Sequence, residues 1–138
     1  MPHTLEDLPE GPWRADHQAH PEPRYTFEHS GITCSVVRHS HFWNWLGYVQ
    51  LSPNHPDFSG ESFDVAPDSQ LTSPVEVHGG ITHIGGNGRF GFDTLHYGDI
   101  GPFTDPAEGG HYWTFEEVRA ETQKMADQFA ARNAHIKK

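Results

Sequence analysis

Thr114-Phe115-Glu116-Glu117-Val118-Arg119-Ala120-Glu121-Thr122-Gln123-Lys124-Met125-Ala126-Asp127-Gln128-Phe129 is the stretch whose reading decides the fold. Thr114 followed three residues later by Glu117 makes a capping box, in which each side chain satisfies a backbone N–H at the start of a helix. Phe115, Val118, Thr122, Met125 and Phe129 then recur at steps of three and four, which gives one apolar stripe. A helix with a single stripe must bury it against another layer. What precedes it has the period of strands.

Tyr25 to Glu28 and Ile32 to Arg38 flank His29-Ser30-Gly31 and read as a hairpin. Trp45 to Leu51 is a third strand, in which Gly47 lets a neighbour approach closely. Short strands are expected over Val75 to His78 and Ile81 to Ile84. Asn87-Gly88 is a hairpin turn signal leading into a strand over Arg89 to Thr94. Residues 57–74, and those from Leu95 to Gly110, read as irregular because proline, glycine and polar residues dominate them. The expectation is an α+β fold: a curved antiparallel sheet packed against one C-terminal helix, with long Gly/Pro-rich loops. Residues 25–138 form that domain. Residues 1–24 hold five of the eleven prolines and read as an extended, flexible arm with Trp13 as an anchor.

At 138 residues with 34% hydrophobic content, the chain can bury a core, helped by nine Phe, four Trp and four Tyr. Nineteen acids against nine bases give a formal charge of −10, which argues against general nucleic-acid binding. Cys34 is the only cysteine, so neither an intramolecular disulfide nor a thiolate zinc cluster can form. It falls inside an expected strand and reads as core. No apolar run is long enough to span a membrane, and the first residues lack the pattern of a signal peptide, so a cytoplasmic location is expected.

Twelve histidines are unusual in a chain of this length. Two sit in glycine-flanked motifs, Val77-His78-Gly79-Gly80-Ile81-Thr82 and Gly91-Phe92-Asp93-Thr94-Leu95-His96-Tyr97-Gly98-Asp99. Imidazole and carboxylate are the ligands of zinc, iron or manganese sites, and an open site needs only three from the protein. His78, His96 and Asp99 are the candidate ligands of a divalent metal, with Asp93 and His55 as proton-transfer groups. Asn54-His55-Pro56 holds the His55 ring out in extended geometry. Tyr48, Tyr97 and Trp113, with the Gly79 and Gly80 amides, would contact a ligand. Gly86 to Gly91 matches a dinucleotide-binding GxGxxG, but that motif must open a helix, and a β-like run follows here. No GxSxG elbow accompanies His78-Gly79-Gly80, so acyl chemistry is not expected.

In order along the chain, Gly47-Tyr48-Val49, Asn54-His55-Pro56 with Gly60, Val77 to Thr82, and Gly91 to Asp99 resemble the motifs of an uncharacterised family of small proteins common in bacteriophage and prophage genomes. The resemblance spans about residues 44–130 and closes on His111-Tyr112-Trp113-Thr114 before the helix. It carries no activity with it, but His55, His78, Asp93, His96 and Asp99 all fall on its motifs. The chain departs from the family at Asn44 and Leu46, where members carry a histidine and a cysteine.

Three classes of function stay open on these residues. One is a small phage-type, metal-dependent hydrolase acting on a small polar or nucleotide-like substrate. Another is a binding protein that sequesters a nucleotide or blocks a host protein. The third is a structural phage accessory protein.

Overall fold

A computed structural model describes residues 5–55, 75–85, 88–96, 98–103 and 110–136. Five strands, β1 (Arg24–His29), β2 (Ile32–Arg38), β3 (Trp45–Gln50), β4 (His83–Gly85) and β5 (Arg89–Phe92), form an antiparallel sheet in the order β1-β2-β3-β5-β4. Two helices, α1 (Pro12–Ala19) and α2 (Phe115–Ile136), complete the α+β fold, and α2 packs across β2 and β3 and reaches β1. The β1–β2 turn is built on Ser30 at φ 55° and Gly31 at φ 77°. Positive φ at both central residues suits the twist of a two-residue hairpin.

Alternation divides the sheet into two faces. Cys34, Val36, Trp45, Val49, Phe90 and Phe92 point inward, where Val118, Met125 and Phe129 of α2 meet them, all essentially buried. Gly47 explains how closely the layers approach: a Cβ there would lie 2.3 Å from both the Phe92 ring and Thr122 Oγ1. The helix starts where the sequence places it. Thr114 N–H donates to Glu117 Oε1 at 2.9 Å, and Glu117 N–H donates to Thr114 Oγ1 at 3.2 Å.

Three expectations need correction. The stretch read as an extended arm contains α1, opened by Pro12 at a position where a missing N–H costs nothing. It is also docked: Leu8 and His17 are 1% and 0% exposed. Trp13 does serve as an anchor, its ring edge-on to Tyr112 at 5.6 Å. Residues 75–78 are not a strand, because Gly80 N–H bonds Val77 O at 2.8 Å and closes a turn there. The next strand accordingly begins at His83 rather than Ile81. Within the region read as irregular, β6 (Asp99–Ile100) pairs in parallel with β7 (His111–Tyr112). The expected loop over 57–74 lies outside the described residues. No described helix is long and apolar enough to cross a membrane.

Candidate metal centre

The first candidate ligand sits in the turn Val77-His78-Gly79-Gly80. Its third residue, Gly79, has φ 69°, as a type II turn requires. His78 N–H donates to Glu121 Oε2 of α2 at 2.7 Å, which ties this turn to the helix. Trp113 lies against the His78 ring, centroids 4.3 Å apart at 36°. The imidazole is thereby held from the backbone side and from one ring face.

The second and third candidates share a similar turn. Asp99 N–H bonds His96 O at 2.8 Å, with Gly98 at φ 90° in the third position. In return, His96 N–H donates to Asp99 Oδ2 at 2.9 Å, so side chain and backbone lock the turn twice. Two buried residues fix this loop to the sheet. Asn44 Nδ2 donates to Thr94 O at 2.9 Å and Ile100 O at 3.3 Å, and Thr94 Oγ1 donates to Trp45 O at 2.8 Å.

The two turns meet at Asp99. His78 Nε2 lies 2.8 Å and 3.0 Å from its two carboxylate oxygens. His96 Nδ1 lies 3.7 Å from Asp99 Oδ2 and 3.0 Å from Asp93 Oδ1. The rings of His78 and His96 are 5.6 Å apart and nearly perpendicular. One ligand atom from each of His78, His96 and Asp99 falls within 4.8 Å of the others. The Asp99 carboxylate is 3% exposed, while the imidazoles keep 25% and 30% of their surface. An enclosed anion with two partly open imidazoles suits a divalent cation.

The alignment around His96 adds a detail. Although Asp93 Oδ1 is within ion-pair distance, no acceptor is aligned with the ring, and the buried Nδ1 has no hydrogen-bond partner. A buried polar atom left so is costly unless something else satisfies it. Gly79 shapes the same spot: a Cβ there would lie 2.3 Å from His96 Cε1. The glycine beside His78 is therefore required by the packing of the other histidine.

The remaining sequence candidates scatter around this centre. Asp93 adjoins it, accepting from Thr82 Oγ1 at 3.0 Å and from Leu95 N–H at 2.9 Å. Trp113 and Gly79 are in contact with its histidines, and Gly80 closes its turn. Tyr48 stands on the outer face of the sheet, in a recess of about 230 Å³ that Asp93 also lines. His55 is elsewhere: it is 6% exposed, with Nε2 2.6 Å from Phe129 O near the far end of α2. Tyr97 lies outside the described residues.

Sequence reading missed Glu121, Asn44 and Thr94, which hold the two turns in place. Asn44, set between Trp43 and Trp45 at the start of a strand, was the one legible signal, because a polar residue buried among aromatics needs partners. Comparison with protein-family models, with curated proteins and with solved structures gives no match for this chain.

Proposed function

We propose that the chain is a small phage-type hydrolase whose working centre is a divalent metal held by His78, His96 and Asp99. The observation that carries this reading is the convergence of three ligand atoms within 4.8 Å, drawn from two separate turns. Two imidazoles and one carboxylate leave coordination positions open, which is the arrangement of catalytic rather than purely structural sites. A divalent ion there would polarise a substrate oxygen and favour ionisation of a water. Zinc, iron and manganese all accept this donor set.

Around that centre the side chains divide the work. Asp99, enclosed and already accepting the His96 N–H, fixes the spacing between the ligands. Asp93, 3.0 Å from His96, is the nearest carboxylate for moving a proton. Trp113 covers one face of His78 and limits how its ring can turn. His55, bonded to the backbone of α2, has no part in this chemistry.

The test is elemental analysis of tag-free protein purified without chelator, beside His96→Ala. Near-stoichiometric metal in the parent, lost in the variant with little change in melting temperature, is the expected result. A metal-free, folded parent overturns the reading. Metal retained without turnover on phosphate esters and amides would favour a binding protein.

A further inference from the structure

Because the inner face of the sheet is sealed by α2, the outer face is left to side chains that alternation turns toward solvent. One cross-strand row reads Thr26, Ser35, Tyr48, Gly91, His83, and the next reads Glu28, Thr33, Gln50, Arg89, Gly85. Arg24 stands at the edge of the same face, one alternate position before Thr26. Arg24, Arg89, Thr26, Thr33 and Ser35 border a recess of about 200 Å³ whose wall is Tyr48.

The charge of this recess is out of keeping with the chain. The protein carries nineteen acids and nine bases, yet two arginines converge here, and among the described residues neither has a carboxylate partner. Glu28 shares the face but lies outside the recess. Arg89 is held with its guanidinium 4.2 Å from the Tyr48 ring centroid, and its buried Nε has no hydrogen-bond partner. Two guanidiniums and three hydroxyls, of which Thr26 and Ser35 lie 3.4 Å apart and share one hydrogen bond, offer more donors than the two oxygens of a carboxylate can use and suit the three terminal oxygens of a phosphate.

Tyr48 is also the wall of a second recess, lined by His39, Leu46, Thr82, His83, Asp93 and Leu95. Its ring packs against Gly91, where a Cβ would come within 2.4 Å of Cδ1. Burial holds the His39 and His83 imidazoles below their ordinary pKa, so this second recess presents uncharged rings and aliphatic groups beside the Asp93 carboxylate. Asp93 at its end is the carboxylate 3.0 Å from His96. A cationic recess, an aromatic ring and a second recess ending on a carboxylate thus run in sequence toward the candidate metal centre.

We infer that the outer face of the sheet binds a small organic phosphate: Arg24 and Arg89 take the phosphate, and the organic part lies over Tyr48 toward Asp93. That this ligand is the substrate rests on the metal-centre reading, whereas the anion site stands on its own residues. Arg89 is the central group and Arg24 the outer one.

The test is titration of the full-length protein with adenosine monophosphate, adenosine and inorganic phosphate, followed by calorimetry and by amide NMR shifts. Binding of the nucleotide is expected, with adenosine weaker and inorganic phosphate shifting the same residues around Arg89. Arg89→Gln and, independently, Arg24→Gln should each weaken nucleotide binding about tenfold or more, as loss of a charge-assisted pair predicts. Arg24 is exposed at a sheet edge, so Arg24→Gln answers even if Arg89→Gln disturbs the fold. Nucleotide and phosphate that leave the protein unperturbed, or affinity unchanged in a folded Arg24→Gln or Arg89→Gln protein, would overturn the inference. His96→Ala separates the two readings. Arginine-dependent binding that survives in a metal-free protein keeps the anion site and removes the hydrolase, and a metal-loaded protein indifferent to nucleotide does the reverse.

Discussion

Two histidine-containing clusters in this molecule use the same residue types for opposite ends. In the candidate metal centre, His78 and His96 stay a quarter to a third exposed around an enclosed carboxylate, and one ring nitrogen of His96 has no hydrogen bond. In the second cluster, His17 of α1 is fully buried, stacked on Trp45 at 4.7 Å, and engaged at both nitrogens. Arg38 Nε–H donates to its Nδ1 at 3.1 Å, and Tyr112 Oη lies 3.3 Å from its Nε2. The Tyr112 hydroxyl donates on to Asp16 Oδ2 at 2.6 Å, which also accepts from Trp45 Nε1 at 2.8 Å and Phe115 N–H at 3.1 Å. Completeness distinguishes the two: a fully satisfied network stabilises a fold, and a buried nitrogen without a hydrogen bond is the opening that the proposed metal would fill.

The sharpest way to break this comparison is Asp16→Ala. It strands the Tyr112 hydroxyl, the Trp45 indole N–H and the first N–H of α2 together, each costing about 1–3 kcal/mol when unsatisfied and shielded from water. With partial rescue by solvent, a loss of about 3–4 kcal/mol in urea unfolding is expected. Metal content per folded molecule should not change. Loss of metal, or stability within experimental error of the parent, would remove the division between the two clusters.

Acid distinguishes them next. Burial, reinforced by the Arg38 guanidinium and opposed by Asp16, pushes the His17 pKa from 6.5 down to about 4. Between those values the unfolded chain binds a proton at His17 that the folded chain refuses, so stability rises with pH across this window. The contribution is fully present above pH 6.5 and is lost as pH falls toward 4, amounting to about 3 kcal/mol from His17 alone. The direct measurement is the His17 ring signal by NMR: it should stay in its neutral position down to about pH 5, below the ordinary imidazole value. A His17 ring that titrates near 6.5 contradicts the burial argument. Tyr112 belongs to the same network, where burial and then the Asp16 hydrogen bond push the phenol far above its ordinary value, so it stays a donor throughout.

How much of this was legible in the sequence follows from the range of the interactions. Helix α2 and its Thr114–Glu117 box rest on contacts three and four residues apart, and the β1–β2 hairpin rests on Ser30-Gly31. Local chemistry was enough for both. The nearness of His78 to His96 and Asp99 was readable as residue types in two glycine-flanked segments, because glycines beside an imidazole mark a crowded turn, although the strand expected to lead into His78 does not form. The α1 cluster was not readable. Asp16 reaches Tyr112 and Phe115 across 96 and 99 residues, and a proline-rich stretch gives no sign that its histidine will be buried. Glu121 was hidden differently: it lies on the apparently solvent side of an amphipathic pattern and is recruited by a turn 43 residues earlier.

The smallest effect sharpens the comparison most, because it separates backbone strain from ligand position within a single turn. Gly79 and Gly80 have φ of 69° and 78°, so alanine at either should cost about 1 kcal/mol in backbone strain alone. Their surroundings differ. A Cβ at Gly80 meets nothing within 4 Å, whereas one at Gly79 lands 2.3 Å from the His96 ring. Gly80→Ala should therefore lose about 1 kcal/mol and keep its metal. Gly79→Ala should lose somewhat more and also weaken metal affinity about 10–100-fold, as displacing the support of a ligand does elsewhere. Chelator competition with a zinc-sensitive dye, run on both variants, reads the difference. Equal metal loss would mean that the turn as a whole positions His78, and equal retention would mean that the His96 ring can move aside, leaving the ligand set to be redrawn without it.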